Sequence, residues 1–131
     1  MAGNPALYLE STIISYLVAY PSRDLIVAAH QQITHEWWDQ ARSKFSNYIS
    51  QAVLDEISTG NPDAASRRLA FVAGLPILAL TEDVHVLAEE YLHKLGLPRG
   101  AHLDVVHLAF AVSYEVDYLL TWNCAHLANG W

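Results

Sequence analysis

Ala6-Leu7-Tyr8-Leu9-Glu10-Ser11-Thr12 is the stretch that decides the fold. A short apolar run bounded by Pro5 ends in an acid and two hydroxyl residues, which predicts a buried strand feeding a helix that Ser11 or Thr12 caps. That helix is expected to stop near Tyr20-Pro21. Beyond it, Leu25, Ala28, Ala29, Ile33, Trp37 and Ala41 recur at helical spacing until the polar break around Lys44. The same pattern of strand then helix repeats along the chain. Tyr48-Ile49 reads as a second strand, followed by a helix through Ile57 that stops at Gly60, and Asn61-Pro62-Asp63 opens a further helix with a cap and a proline at its first position. Pro76-Ile77-Leu78-Ala79-Leu80 is a third strand, and Thr81-Glu82-Asp83 starts a helix ending near Gly96. An apolar helix from Leu103 to Tyr114 leads to a fourth strand, Asp117-Tyr118-Leu119-Leu120-Thr121. Continuous apolar strands alternating with helices predict an α/β fold, a three-layer α/β/α sandwich around a central, mainly parallel sheet. Functional groups in such folds stand outside the carboxyl ends of the strands.

Composition narrows the classes. A chain of 131 residues suits a single domain with one core. Hydrophobic residues make up 53% and charged ones 16%, which excludes disorder and hints at an interface. Cys124 is the one cysteine, so no intrachain disulfide forms and the thiol is expected to be inert. No apolar run reaches membrane-spanning length and Glu10 interrupts the first one, so a soluble, cytoplasmic protein without membrane contact is expected. The formal charge of −7 argues against a pure nucleic-acid binder, although two divalent ions would bring it to about −3. Arg23, Arg42, Lys44, Arg67, Arg68 and Arg99 are then available as a local basic rim.

Four polar residues stand at element junctions: Glu10, Glu56, Asp104 and Asn123. Glu10 follows the first strand. At about 100° per residue, Val53, Leu54 and Ile57 define an apolar arc whose flank holds Glu56 rather than Asp55. Asp104 and His107 form the narrow polar stripe of an otherwise apolar helix. Asn123 follows the fourth strand, where it can orient a carboxylate or serve as a turn residue. Each position alone also fits a solvated loop acid or a first-turn acid, and only the joint pattern points to a site. Three carboxylates gathered within about 5 Å repel by roughly 3 kcal/mol per pair at an effective dielectric near 20, unless one is protonated or a cation binds. Oxygen ligands select Mg2+ or Mn2+ over zinc and leave coordination places for water and phosphate, which points to phosphodiester hydrolysis.

Here the chain resembles the PIN-domain metal-dependent ribonucleases, specifically the VapC-type toxins of bacterial toxin-antitoxin pairs. The resemblance is carried by Leu7-Tyr8-Leu9-Glu10-Ser11-Thr12, by Ile49-Ser50-Gln51-Ala52-Val53-Leu54-Asp55-Glu56-Ile57, and by Asp104-Val105-Val106-His107-Leu108-Ala109-Phe110-Ala111 with Asp117-Tyr118-Leu119-Leu120-Thr121-Trp122-Asn123. It spans nearly the whole chain. It implies that Glu10, Glu56 and Asp104 are metal ligands for Mg2+ or Mn2+ and that Asn123 takes the place of a fourth catalytic acid. It implies too an RNA substrate, a homodimer and inhibition by a small antitoxin protein. Two positions depart from the family pattern: the first acid is Glu where Asp is commoner, and the fourth is an amide. Relatives usually continue beyond the position of Trp131 through a short helix and a closing strand, so a short C-terminus is expected.

Other classes fit less well. His30 with His35 and His102 with His107 are five apart, off the i, i+4 spacing of helical zinc ligands. His107 and His126 remain candidates to orient Asp104 or join the site, against the commoner role of a satisfied or solvent-facing histidine. Trp37 and Trp38 read as packing, and Arg67-Arg68 as a solvated face. A phosphoacceptor receiver would need a lysine closing a late strand, which neither Lys44 nor Lys94 supplies. A catalytically weak or inactive PIN-like binding or assembly module is the alternative.

Overall fold

A computed structural model describes residues 3–123. Cys124, His126 and the expected short end at Gly130-Trp131 lie outside the described residues. Strands β1 (Ala6–Leu9), β2 (Ser46–Ser50), β3 (Ile77–Leu78) and β4 (Tyr118–Leu120) form one sheet in the order β3-β2-β1-β4, every neighbouring pair parallel. Six α-helices flank it: α1 (Ser11–Val18), α2 (Leu25–Ala41), α3 (Gln51–Ile57), α4 (Pro62–Val72), α5 (Glu82–Leu95) and α6 (His102–Ser113). The expected α/β class with a parallel sheet is the architecture observed. Helices α1, α2 and α4 pack together, as do α5 and α6, while α3 touches α1, α4 and α6.

Local chemistry places most boundaries. Asp24 caps α2 by accepting from the Ile26 and Val27 amides, Asn61 caps α4 ahead of Pro62, and Thr81 caps α5. Gly96 ends α5 at φ +62°, a conformation a side chain would strain. The third strand is shorter than the apolar run Pro76–Leu80, because β3 is an edge strand and Ile77 and Leu80 stay about half exposed. The expected cap at Ser11 or Thr12 is not made. Glu10 occupies the N-cap position of α1 without a side-chain cap, and both hydroxyls turn to acids instead.

Arg67 and Arg68 are not a solvated face. Arg67 donates to the Val18 carbonyl at 2.8 Å and Arg68 to the Ile57 and Thr59 carbonyls at 2.9 and 2.7 Å. They satisfy acceptors left over at the C-termini of α1 and α3. With Arg67 over the Tyr20 ring and Arg42 over Trp38, three members of the expected basic rim serve internal contacts. Trp37 and Trp38 do pack, against Phe45 and Phe71.

The sheet order locates the crevice. The chain runs from β1 outward through β2 to β3, then returns to place β4 on the other side of β1. That reversal between β1 and β4 is the topological switch point, where the loops after two parallel strands part and leave room at their carboxyl ends. The register Leu9↔Leu120 makes Glu10 and Thr121 the first residues beyond the sheet on each side of it. Leu7, Tyr8 and Leu9 are all buried, so both faces of β1 are covered and a polar side chain just past its end sits over the core.

Candidate metal centre

Glu10 leaves β1 with 4% of its surface exposed. Its Oε1 accepts the Thr121 hydroxyl at 2.7 Å and the Thr12 hydroxyl at 2.5 Å. Neither hydroxyl is free to turn away, since Thr12 Oγ1 accepts the Trp122 amide at 3.0 Å and Thr121 Oγ1 the Asn123 amide at 2.9 Å. Among the described residues no donor reaches Glu10 Oε2.

Glu56 projects from the last turn of α3, while its neighbour Asp55 is exposed. Its Oε1 accepts the Ser11 hydroxyl at 2.8 Å and makes a short contact with Nε2 of His107, and again no donor among the described residues reaches Oε2. His107 comes from the middle of α6 and is 1% exposed, its Nδ1 lying 2.6 Å from the Tyr8 hydroxyl. Donor atoms of Glu10, Glu56 and His107 all fall within 4.8 Å of one another.

Asp104 is not a member of that trio. It lies in the first turn of α6, one turn before His107, and Asn123 Nδ2 donates to its Oδ1 at 2.7 Å. The tie between α6 and the segment after β4 therefore runs through the amide. Sequence reading selected Glu10, Glu56, Asp104 and Asn123. His107, a candidate from the sequence to orient Asp104 or phosphate, bonds Glu56 and Tyr8. The same reading missed Ser11, Thr12 and Thr121 as acid partners and Tyr8 and Ser50 behind them. The pairing of β1 with β4 is the signal that finds Thr121.

Burial pushes the Glu56 carboxyl up, but the hydrogen bonds from the His107 imidazole and the Ser11 hydroxyl pull the other way and leave the group below its ordinary 4.5. A depressed folded value stabilises the fold fully above about pH 4.5, the unfolded value, and the contribution is lost as pH falls through the folded value. In metal-free protein, Glu56→Gln is expected to flatten the fall of the unfolding midpoint as pH drops below about 4.5, relative to the parent. Parallel pH curves for the two chains would refute the linkage.

The donor set fits a hard divalent cation. Two carboxylates with oxygens within 4.8 Å repel by about 3 kcal/mol at an effective dielectric near 20, and each offers an Oε2 without a protein donor.

The sequence matches no family model and no curated protein. Solved structures do share the fold. VapC20 of Mycobacterium tuberculosis, a toxin that cleaves the sarcin-ricin loop, superposes with a TM-score of 0.74 at 14% identity over 96% of each chain. VapBC2 from Rickettsia felis, solved bound to a DNA fragment from their promoter, gives 0.68 at 17% identity over 95% of this chain and 92% of that one. The PIN-like fold implied by the resemblance is the fold this chain has.

Proposed function

We propose that the chain is a metal-dependent endoribonuclease that hydrolyses RNA phosphodiester bonds as the toxin of a toxin-antitoxin pair. The observation that carries this reading is the meeting of Glu10 and Glu56 at the switch point of the sheet, each anchored through Oε1 and each with Oε2 lacking a donor among the described residues. Glu10, Glu56 and Asp104 are the proposed ligands for Mg2+ or Mn2+, and Asn123 holds Asp104 by its amide. When bound, the cation polarises the phosphate and lowers the pKa of an attacking water.

The protein's own part is orientation. Thr12 and Thr121 fix Glu10 and Ser11 and His107 fix Glu56, and the proton of the attacking water would go to a carboxylate oxygen that does not hold the cation. RNA cleavage by VapC20 and the VapB partner in VapBC2 support an RNA substrate and a small antitoxin for this chain. Among the described residues, no helix is long and apolar enough to cross a membrane, in keeping with a substrate met in the cytoplasm. Exposure of Tyr20, Leu25 and Ile26 supports a homodimer.

Full-length chain incubated with RNA hairpins, a sarcin-ricin loop among them, is expected to cut at a defined bond with Mg2+ or Mn2+ and to stop on EDTA addition. A folded chain inert with both metals on every RNA would instead favour a binding or assembly module.

A further inference from the structure

Behind Glu56 runs a line of buried hydroxyls and one imidazole. Ser50 and Tyr8 are fully buried and His107 nearly so. Ser50 Oγ accepts the Val53 amide at 3.2 Å and lies 2.7 Å from the Tyr8 hydroxyl, which lies 2.6 Å from His107 Nδ1. His107 Nε2 then meets Glu56 Oε1. Four elements, β1, β2, α3 and α6, are joined through one path.

Resting on the metal-centre reading above, we propose that Ser50, Tyr8 and His107 are positioning residues that lock the imidazole as its Nε2–H tautomer. The lock makes Glu56 a one-oxygen ligand: Oε1 is held by protein donors and Oε2 is left to the cation.

Counting protons fixes the direction. Each hydroxyl carries one proton, and an imidazole nitrogen against a carboxylate oxygen must have a proton between them. If Ser50 donates to Tyr8, Tyr8 donates to Nδ1 and Nε2–H donates to Glu56, every proton has an acceptor. The reverse direction needs Nδ1–H on Tyr8 and the Tyr8 proton on Ser50, and the Ser50 proton then has no acceptor among the described residues. A fully buried hydroxyl left so gives up its hydration with no bond in return.

Glu10 follows the same design without a histidine. Two donors, Thr12 and Thr121, converge on Oε1 and none among the described residues on Oε2. Both acids therefore present one oxygen each. In metal sites, groups that orient a ligand in this way typically control metal affinity by about 10- to 100-fold.

Tyr8→Phe keeps the ring and removes the donor to Nδ1. In 15N-labelled, metal-free parent, long-range proton–nitrogen spectra are expected to show His107 with Nε2 protonated and Nδ1 bare; Tyr8→Phe should mix the tautomers and weaken Mn2+ binding, read by calorimetry, about 10- to 100-fold. His107→Gln, whose amide nitrogen can still donate to Oε1, should retain more Mn2+ affinity than His107→Leu. A parent spectrum with Nδ1 protonated overturns the proposal without any variant having to fold. So does Mn2+ binding by Tyr8→Phe within about twofold of the parent, or nitrogen coupling from the imidazole to bound Mn2+, which would make Nε2 a ligand. A parent chain that binds no Mn2+ while showing the Nε2–H tautomer would sink the metal-centre reading and the relay's role toward it, yet leave its polarity established.

Discussion

Glu10→Gln is expected to cut the rate of metal-dependent RNA cleavage by at least about a hundredfold, roughly 3 kcal/mol of lost charge stabilisation. The substitution is nearly isosteric. Its amide carbonyl can take the Oε1 position and accept the same Thr12 and Thr121 hydroxyls, so β1 and β4 stay joined at their carboxyl ends. What changes is the second arm, where a donor NH2 replaces the Oε2 that would face a cation. An unfolding midpoint within a few degrees of the parent, together with lost cleavage and lost Mn2+ binding, is the expected pair of results. Full activity in Glu10→Gln would remove Glu10 from the chemistry, and the metal centre with it.

Phe110→Ala is expected to cost about 3–5 kcal/mol of stability. Phe110 is fully buried, with ring centroids 6.3 Å from both Tyr8 and Tyr114. Removing it opens a void under Tyr8, the residue that aligns His107. At a few degrees per kcal/mol for a chain of this size, the midpoint should drop by about 10 °C. Metal affinity should fall as well, because Tyr8 loses the surface that fixes its ring. Phe110→Leu should cost markedly less. A loss below about 1 kcal/mol in urea unfolding would mean that the cavity collapses at little cost and that Phe110 does not brace the site.

Element types were legible because they rest on local rules. The Asn61-Pro62 pair, Thr81 and Gly96 behave as their residue types predict, and the apolar runs at Ala6–Leu9 and Tyr118–Leu120 are strands because both faces need covering or pairing. Local rules failed where a distant group competed. Ser11 and Thr12 have the chemistry of caps, but an acid beside each offers a charge-assisted bond stronger than a neutral one to an amide. The run from Pro76 to Leu80 satisfied the pattern of a strand, but only Ile77 and Leu78 pair, with Ile49 and Ser50 of β2, and Ile77 and Leu80 stay about half exposed. Glu10 and Glu56 were picked from their positions at junctions. Their partners Ser11, Thr12 and Thr121, and Tyr8 and Ser50 behind them, were not, since a serine at position 50 gives no sign of touching a tyrosine at position 8 until β1 and β2 pair.

The hydroxyl of Thr121 reaches Glu10 across 111 positions of sequence. Contacts of such separation form only after the intervening loop has closed. During synthesis Glu10 is made before Thr121 and waits for the segment between them before its carboxylate acquires a fixed direction. Whatever chemistry depends on a fixed Glu10 carboxylate therefore switches on only when β4 has paired with β1.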